Sequence, residues 1–225
     1  MEYILNDKER NSYILLYRNW IQKETADIML PYLMEGIPWE TTKIYNKDYT
    51  TEQRRRTWML GDQSLRYINI YGSEHTIYPW NMSTTPSSLD NKLEYVKWLI
   101  PNLSTQFLPL LNKWITELGL CNGKEYNGPN SCLINEYRDG KAGIGYHSDR
   151  EAVGPLGEVI TISLGGPRDF CIKPLFKKDK PIKVSLGSGD LVFMLGNTQQ
   201  YYAHSIPYRA HANYRLSITY RYLNA

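Results

Sequence analysis

The stretch Gly145–Glu151, reading GYHSDRE, places His147 and Asp149 two residues apart, directly after a run with strand character. On a strand, side chains at i and i+2 share a face, so an imidazole and a carboxylate can grip one cation together. Two ligands do not complete a site. Of the four histidines, His75, His147, His204 and His211, it is His204 that follows the apolar run DLVFML and the turn GNTQQ. That turn can fold it back beside the strand end carrying the HxD pair. Two imidazoles and one carboxylate form a facial set that suits ferrous iron and leaves three positions open. Taken singly, an HxD pair also arises by chance, and His204 alone reads first as a hydrogen-bonded structural histidine.

The segment Arg215–Arg221, RLSITYR, adds a second condition. Alternation puts Arg215, Ser217, Thr219 and Arg221 on one face and Leu216, Ile218 and Tyr220 on the other. One face is apolar and the other polar. Six steps of about 3.3 Å separate the two arginine backbones by roughly 20 Å, and forks leaning inward leave a gap of small-dicarboxylate length. The alternative is an exposed strand with two solvated arginines. Ser217 and Thr219 on the same face argue instead for a lined cleft.

Groups so far apart along the chain need a rigid frame. From Ser131 onward the texture is short β-leaning runs split by Gly, Pro and Asp: SCLINEY, EVITISL, DFCIKP, IKVSL, DLVFML and YRLSITYRYL. This half reads as a sandwich or barrel. Before it, residues 23–35 place apolar side chains at helical intervals, with Pro31 expected to kink or split the element. A second helix is expected over 104–118, with Ser104 as N-cap and Gly119 as stop. Residues 50–90 mix basic, aromatic and turn-forming residues, and STTPSS at 83–88 reads as a loop.

The chain of 225 residues, 42% hydrophobic and 22% charged, is long enough for one domain and too apolar to be disordered. Nineteen Tyr and six Trp against four Phe favour half-wet clefts and strand-rich walls over a dry core. A net charge of +3 is too small to announce a polyanion partner, so local clusters must carry that argument. Cys121, Cys132 and Cys171 show no CxxC spacing and read as reduced thiols. A charged start and the lack of a membrane-length apolar run lead to the expectation of a soluble, intracellular protein, without choosing between nucleus and cytoplasm.

Four linked motifs, NEY (Asn135 to Tyr137), HSD (His147 to Asp149), HSIP (His204 to Pro207) and RLSITYR, resemble the AlkB family of Fe(II)- and 2-oxoglutarate-dependent dioxygenases in order and spacing. The match covers about residues 130–222, and RRRTWMLGDQSLRY more loosely. The resemblance implies an α+β, mainly β fold: a double-stranded β-helix, or jelly-roll, with supporting N-terminal helices. A single domain is expected, with 1–125 as helical support and substrate-recognition lid and 126–225 as the catalytic core. By resemblance His147, Asp149 and His204 bind iron. Asn135, Tyr137 and Arg215 hold 2-oxoglutarate, Arg215 at its distal carboxylate, while Arg221 lies near the metal end. Ser217 and Thr219 line the same face, and Ser217 stands where the family often has Asn.

The implied reaction uses Fe(II), 2-oxoglutarate and O2 to oxidise the methyl group of an alkylated nucleobase such as 1-methyladenine or 3-methylcytosine. Its products are formaldehyde, succinate and CO2. A flipped base needs flat walls and an edge reader; the resemblance suggests Tyr67 or Tyr71 for the first and Glu151 for the second. Phosphate contacts are expected from Arg54 to Arg56, Arg55 among them, and from Lys173–Lys183, a loop with five lysines and one aspartate. The expected partner is alkylated DNA or RNA, with no membrane and a monomeric enzyme. Two rivals stand: a 2-oxoglutarate dioxygenase acting on a protein or small molecule, and a non-catalytic nucleic-acid binding module.

Overall fold

The seven residues of RLSITYR form strand β15 (Arg215–Arg221), and every one of them is buried. In this computed structural model, which describes residues 1–45, 50–68, 74–80, 85–86, 88, 90–121, 126–150 and 156–224, β15 lies in the middle of the larger sheet. It pairs antiparallel with β8 (Ser131–Tyr137) on one side and β10 (Val159–Gly165) on the other. Element labels follow chain order. The sheet continues through β13 (Leu191–Gly196), β2 (Ser12–Tyr17) and β1 (Glu2–Asp7) at one edge. At the other edge lie β4 (Thr50–Gly61) and β3 (Glu40–Tyr45), with β7 (Ile77–Pro79) also paired to β4.

Facing it is a smaller sheet in the order β12 (Ile182–Leu186), β11 (Arg168–Pro174), β14 (Tyr202–Ile206), β9 (Ile144–His147). A two-stranded ribbon, β5 (Tyr67–Ile68) and β6 (Glu74–His75), stands apart from both. This is the jelly-roll with helical support that the motifs imply.

The predicted alternation of β15 decides which face does what. Leu216, Ile218 and Tyr220 join the core cluster that includes Val96, Ile100, Phe107 and Leu111 of helix α2 (Lys92–Glu117). The Tyr220 ring packs edge-on to Phe107, with centroids 5.0 Å apart, and its hydroxyl donates to the Ile100 carbonyl at 2.8 Å. Burying each such side chain contributes about 1.5–3 kcal/mol. Helix α1 (Lys23–Gly36) packs beside α2 and adds Met29 and Leu33 to the cluster. Arg215, Ser217, Thr219 and Arg221 therefore face the interior between the sheets.

The first helix, Lys23–Gly36, covers the expected 23–35 without splitting at Pro31, whereas the second differs from its predicted form. The segment 104–118 is only the second half of α2, whose cap is Asn91: its side chain accepts from the Glu94 amide at 3.3 Å. Ser104 sits mid-helix and turns its hydroxyl back onto the Pro101 carbonyl at 2.6 Å. Gly119 does end the helix, with φ +66. Pro31, Pro101 and Pro109 all lie inside helices without ending them, because tertiary packing outweighs one missing backbone bond.

The N-terminal half also supplies strands to the larger sheet, which the sequence reading had as helical support and lid. The Arg-rich run of β4 hid its strand character because two of its charges, Arg55 and Arg56, are answered by neighbours on β8. Arg56 binds both oxygens of Glu136, at 2.5 and 2.8 Å, and Arg55 donates to Asn135. Half of the loop expected at 83–88, residues 83, 84 and 87, lies outside the described residues. The three cysteines are free, and among the described residues no helix is long and apolar enough to cross a membrane.

Candidate metal centre and cosubstrate cleft

Strand register brings the two histidines together: β9 and β14 pair so that His147 stands directly opposite His204. Their rings lie 4.3 Å apart between centroids. Asp149 follows just past the end of β9, its backbone N–H held by the Gln199 side chain at 3.0 Å. One ligand atom from each of His147, Asp149 and His204 can be chosen so that all lie within 4.8 Å of one another. The predicted triad is thus assembled.

The donor set fits a ferrous ion. His147 Nδ1 sits 2.9 Å from the Gly145 carbonyl, which assigns the ring proton to Nδ1 and turns Nε2 into the free donor. Asp149 Oδ1 accepts from Arg221 Nη2 at 2.6 Å, whereas buried Oδ2 lies 3.5 Å from His204 Nε2 and has no hydrogen-bond partner among the described residues. A buried carboxylate oxygen left open beside an imidazole nitrogen is the arrangement a cation would complete. Burial would raise the Asp149 pKa, yet Arg221, His204 and His147 outweigh it and hold the carboxyl below its ordinary value. Burial, aided by His147, pushes His204 down to about 3. At neutral pH the site offers an anion and a neutral imidazole, the protonation states a metal requires.

At the other end of β15 the environment is built for an anion. Arg215 is 1% exposed; its Nη2 donates to Ser163 Oγ at 2.8 Å, while Nε and Nη1 have no hydrogen-bond partner among the described residues. Its guanidinium lies 5.1 Å from the Tyr137 ring centroid, and that of Arg168 lies 5.5 Å from the same ring. Arg168 is fully buried and donates to the carbonyls of Asp139, Ala142 and Pro207, which ties the loops on either side of β9 and β14 to this end. Burial lowers the pKa of Arg215, and neighbouring Arg168 lowers it further. No carboxylate forms a salt bridge with either guanidinium among the described residues. A buried cation without a counter-charge is costly, and an incoming carboxylate would remove that cost.

Between these ends the cavity is lined by Asn135, Tyr137, Ser217 and Thr219. Arg221 is engaged by Asp149, and both it and Arg215 line the cavity. Ser217 and Thr219 hydroxyls lie 3.4 Å apart, and Thr219 reaches Thr161 at the same distance. Tyr67 lines the mouth from the β5–β6 ribbon, its ring 5.3 Å from that of His75. Arg55, expected on phosphate, is instead 9% exposed inside the cavity, against Asn135. Its neighbours diverge: Arg56 is held by Glu136, and Arg54 lines a separate groove with Lys141 and Arg209. Glu151 and Tyr71 lie outside the described residues.

A protein-family comparison matches residues 13–221 to the 2OG-Fe(II) oxygenase superfamily. The chain belongs to that superfamily. Membership implies Fe(II), 2-oxoglutarate and O2, and His147, Asp149 and His204 form a group that could hold the metal. Within the superfamily its relatives are AlkB proteins. It is 26% identical to mouse "Alpha-ketoglutarate-dependent dioxygenase alkB homolog 3" over 93% of this chain and 66% of that protein. It is 24% identical to Arabidopsis thaliana "DNA oxidative demethylase ALKBH2" over 96% of this chain and 68% of the relative. A 68-residue stretch is 44% identical to the Caulobacter vibrioides AlkB homolog, covering 30% of each chain. The solved structure described as "The structure of OsALKBH1" superposes with a TM-score of 0.56 at 16% identity, covering 93% of this chain and 96% of that one, and shows a shared fold. The oxygenase spans just under two thirds of the length of the rodent and human homolog 3 proteins.

Sequence reasoning missed four contributors. Phe170 packs against His204, with centroids 5.5 Å apart, and Gln199 holds the Asp149 amide. Arg168 braces the cosubstrate end, and His75 backs Tyr67. Only Phe170 carried a signal, since the alternation of DFCIKP places it on the inward face with Ile172.

Proposed function

We propose that this oxygenase removes methyl groups from alkylated nucleobases of the 1-methyladenine and 3-methylcytosine type in DNA or RNA, releasing formaldehyde, succinate and CO2. The observation that carries the reading is the convergence of His147, Asp149 and His204 within 4.8 Å at one end of a cavity whose other end is lined by the buried guanidinium of Arg215. In this reading His147, Asp149 and His204 would hold the iron. Arg215 grips the distal carboxylate of 2-oxoglutarate, with Tyr137 and Asn135 fixing its orientation and Ser217 and Thr219 lining its flank. Bound iron, with 2-oxoglutarate and dioxygen, supplies the oxidising power that hydroxylates the N-methyl group.

The protein's share is placement. Arg221 keeps the Asp149 carboxylate ionised and oriented through its 2.6 Å contact, and Phe170 packs beside the His204 ring. Tyr67 offers the flat wall on which an extruded base rests. Arg55, across Asn135, keeps positive charge inside the cavity rather than at the strand. Glu151 and Tyr71, outside the described residues, are carried as candidate base readers.

The test is incubation with Fe(II), ascorbate, 2-oxoglutarate and methylated DNA and RNA oligonucleotides, with products weighed by mass spectrometry. Loss of one methyl group, dependent on 2-oxoglutarate and matched by formaldehyde, is expected. Uncoupled succinate production with every oligonucleotide unchanged would redirect the reading to a protein or small-molecule substrate.

A further inference from the structure

The carboxylate of the metal set lies off the sheet. Strand β9 ends at His147, so the backbone of Asp149 is held by no strand ladder among the described residues. Asp149 is 3% exposed, and a buried N–H needs an acceptor. That acceptor is Gln199 Oε1 at 3.0 Å, 50 residues further along the chain. Gln199 is itself buried and belongs to α3 (Thr198–Tyr201), one helical turn that leads into β14 and His204. Its Nε2 donates to Met194 Sδ at 3.5 Å, a weak acceptor, which leaves the oxygen for Asp149.

The residues on either side of Asp149 make the same connection. Ser148 Oγ donates to the Tyr202 carbonyl at 2.9 Å, and Arg150 Nε and Nη2 donate to the carbonyls of Gln199 and Gln200 at 3.1 and 2.9 Å. Carbonyls at a helix end lack intrahelical donors, and a cation suits them. Three consecutive residues of one ligand segment are thus stitched to the turn that carries the other. The turn has a footing of its own. Thr198 Oγ1 accepts from the Tyr13 amide at 3.1 Å and donates to the Leu195 carbonyl at 2.6 Å, while the Asn197 amide donates to the Asn11 carbonyl at 2.8 Å.

Asp149 is therefore gripped twice: Arg221 orients the carboxylate, and Gln199 fixes the backbone from which it projects. A ligand fixed in advance need not be ordered when the ion arrives. We propose that Gln199 is a positioning residue for the iron centre, acting through the Asp149 amide and braced by Arg150. The inference rests on the reading above of His147, Asp149 and His204 as the iron ligands. It adds that iron affinity is set in part by a side chain that does not line the cavity.

The test uses the full chain, titrated anaerobically with Fe(II) and then with 2-oxoglutarate, and read by calorimetry and by the charge-transfer absorption of the ternary complex. Gln199→Met fills nearly the same volume and removes the strong acceptor. It is expected to bind Fe(II) about 10- to 100-fold more weakly and to shift or broaden the absorption band. The 2-oxoglutarate affinity of the metal-saturated protein and the circular dichroism of the metal-free protein are expected to stay at wild-type values. Gln199→Glu restores an acceptor oxygen at the same reach and is expected to recover iron affinity to within about threefold of wild type. Arg150→Ala, a change at an exposed side chain, is expected to lose about fivefold, the worth of one net hydrogen bond.

Equal iron affinity and an unaltered band in Gln199→Met would overturn the positioning role. So would a loss that Gln199→Glu fails to restore, or a lowered melting temperature with iron affinity intact, either of which would give Gln199 to the fold alone. His204→Ala separates this inference from the reading beneath it. If that variant loses iron while Gln199→Met keeps it, the ligand set stands and only the positioning role falls. If His204→Ala binds iron as the wild type does, the ligand set is defeated and the positioning role goes with it.

Discussion

Arg221 Nη2 donates to Asp149 Oδ1 at 2.6 Å, across 72 residues of chain, with both side chains buried. This contact links the last strand of the barrel to the metal centre and leaves Oδ2 turned toward His204. Groups that orient metal ligands commonly set affinity 10- to 100-fold. Arg221→Met is therefore expected to weaken Fe(II) binding by about that factor in an anaerobic titration, with 2-oxoglutarate affinity changing less. His147→Ala and Asp149→Ala are expected to abolish formaldehyde release altogether, as is chelation of the metal.

Arg215 reports on the other end of the cavity. Its buried charge has no counter-ion in the described chain, so Arg215→Met is expected to leave the melting temperature of the unliganded protein level or higher. The same change removes the partner of an incoming carboxylate, a loss of about 2–5 kcal/mol. KM for 2-oxoglutarate should then rise by at least about 30-fold, and the thermal shift given by 2-oxoglutarate should disappear. A destabilised variant with unchanged KM would assign Arg215 to the fold instead.

Tyr67 is 6% exposed and backed by His75 at 5.3 Å. If it forms the wall for an extruded base, Tyr67→Ala removes stacking of about 1–3 kcal/mol. The expected result is a fall of about tenfold or more in kcat/KM for a methylated oligonucleotide, with 2-oxoglutarate binding unaltered by calorimetry.

Glu158 provides a pH-dependent element remote from catalysis. It is fully buried; Oε1 accepts from the Tyr126 hydroxyl at 2.8 Å, and Oε2 has no hydrogen-bond partner among the described residues. Burial raises its pKa above 4.5, against the lowering effects of backbone N–H groups and Tyr126. The native state therefore holds this proton more tightly than the unfolded chain does. Its contribution is full below about 4.5, the unfolded value, and is lost as pH rises through the folded pKa. Glu158→Gln is expected to flatten that slope, so that its melting temperature relative to wild type climbs as pH rises from 5 to 8. A parallel pH dependence in the two proteins would remove Glu158 as the cause.

Local chemistry was legible in the amino-acid sequence wherever period-two alternation and short spacing carry it. RLSITYR announced its two faces, SCLINEY its strand, and HSD a shared pair of ligands, because those relationships lie within a few residues of backbone geometry. The resemblance of the four motifs named the fold and the reactants. Partner choice between distant charges was not legible. Nothing in RRR tells that Arg56 binds Glu136, that Arg55 enters the cavity or that Arg54 lines a separate groove. Nor does Asn91 announce a helix long enough to absorb Pro101 and Pro109. Those outcomes depend on which strands and faces meet after the sheets close. The decisive case is the pairing of His147 with His204: each sits on its own short strand, and only the register of β9 against β14 puts them opposite one another. A slip of one residue would have turned one imidazole out of the cavity, and no local sequence term opposes that slip as strongly as the packing of the closed barrel does.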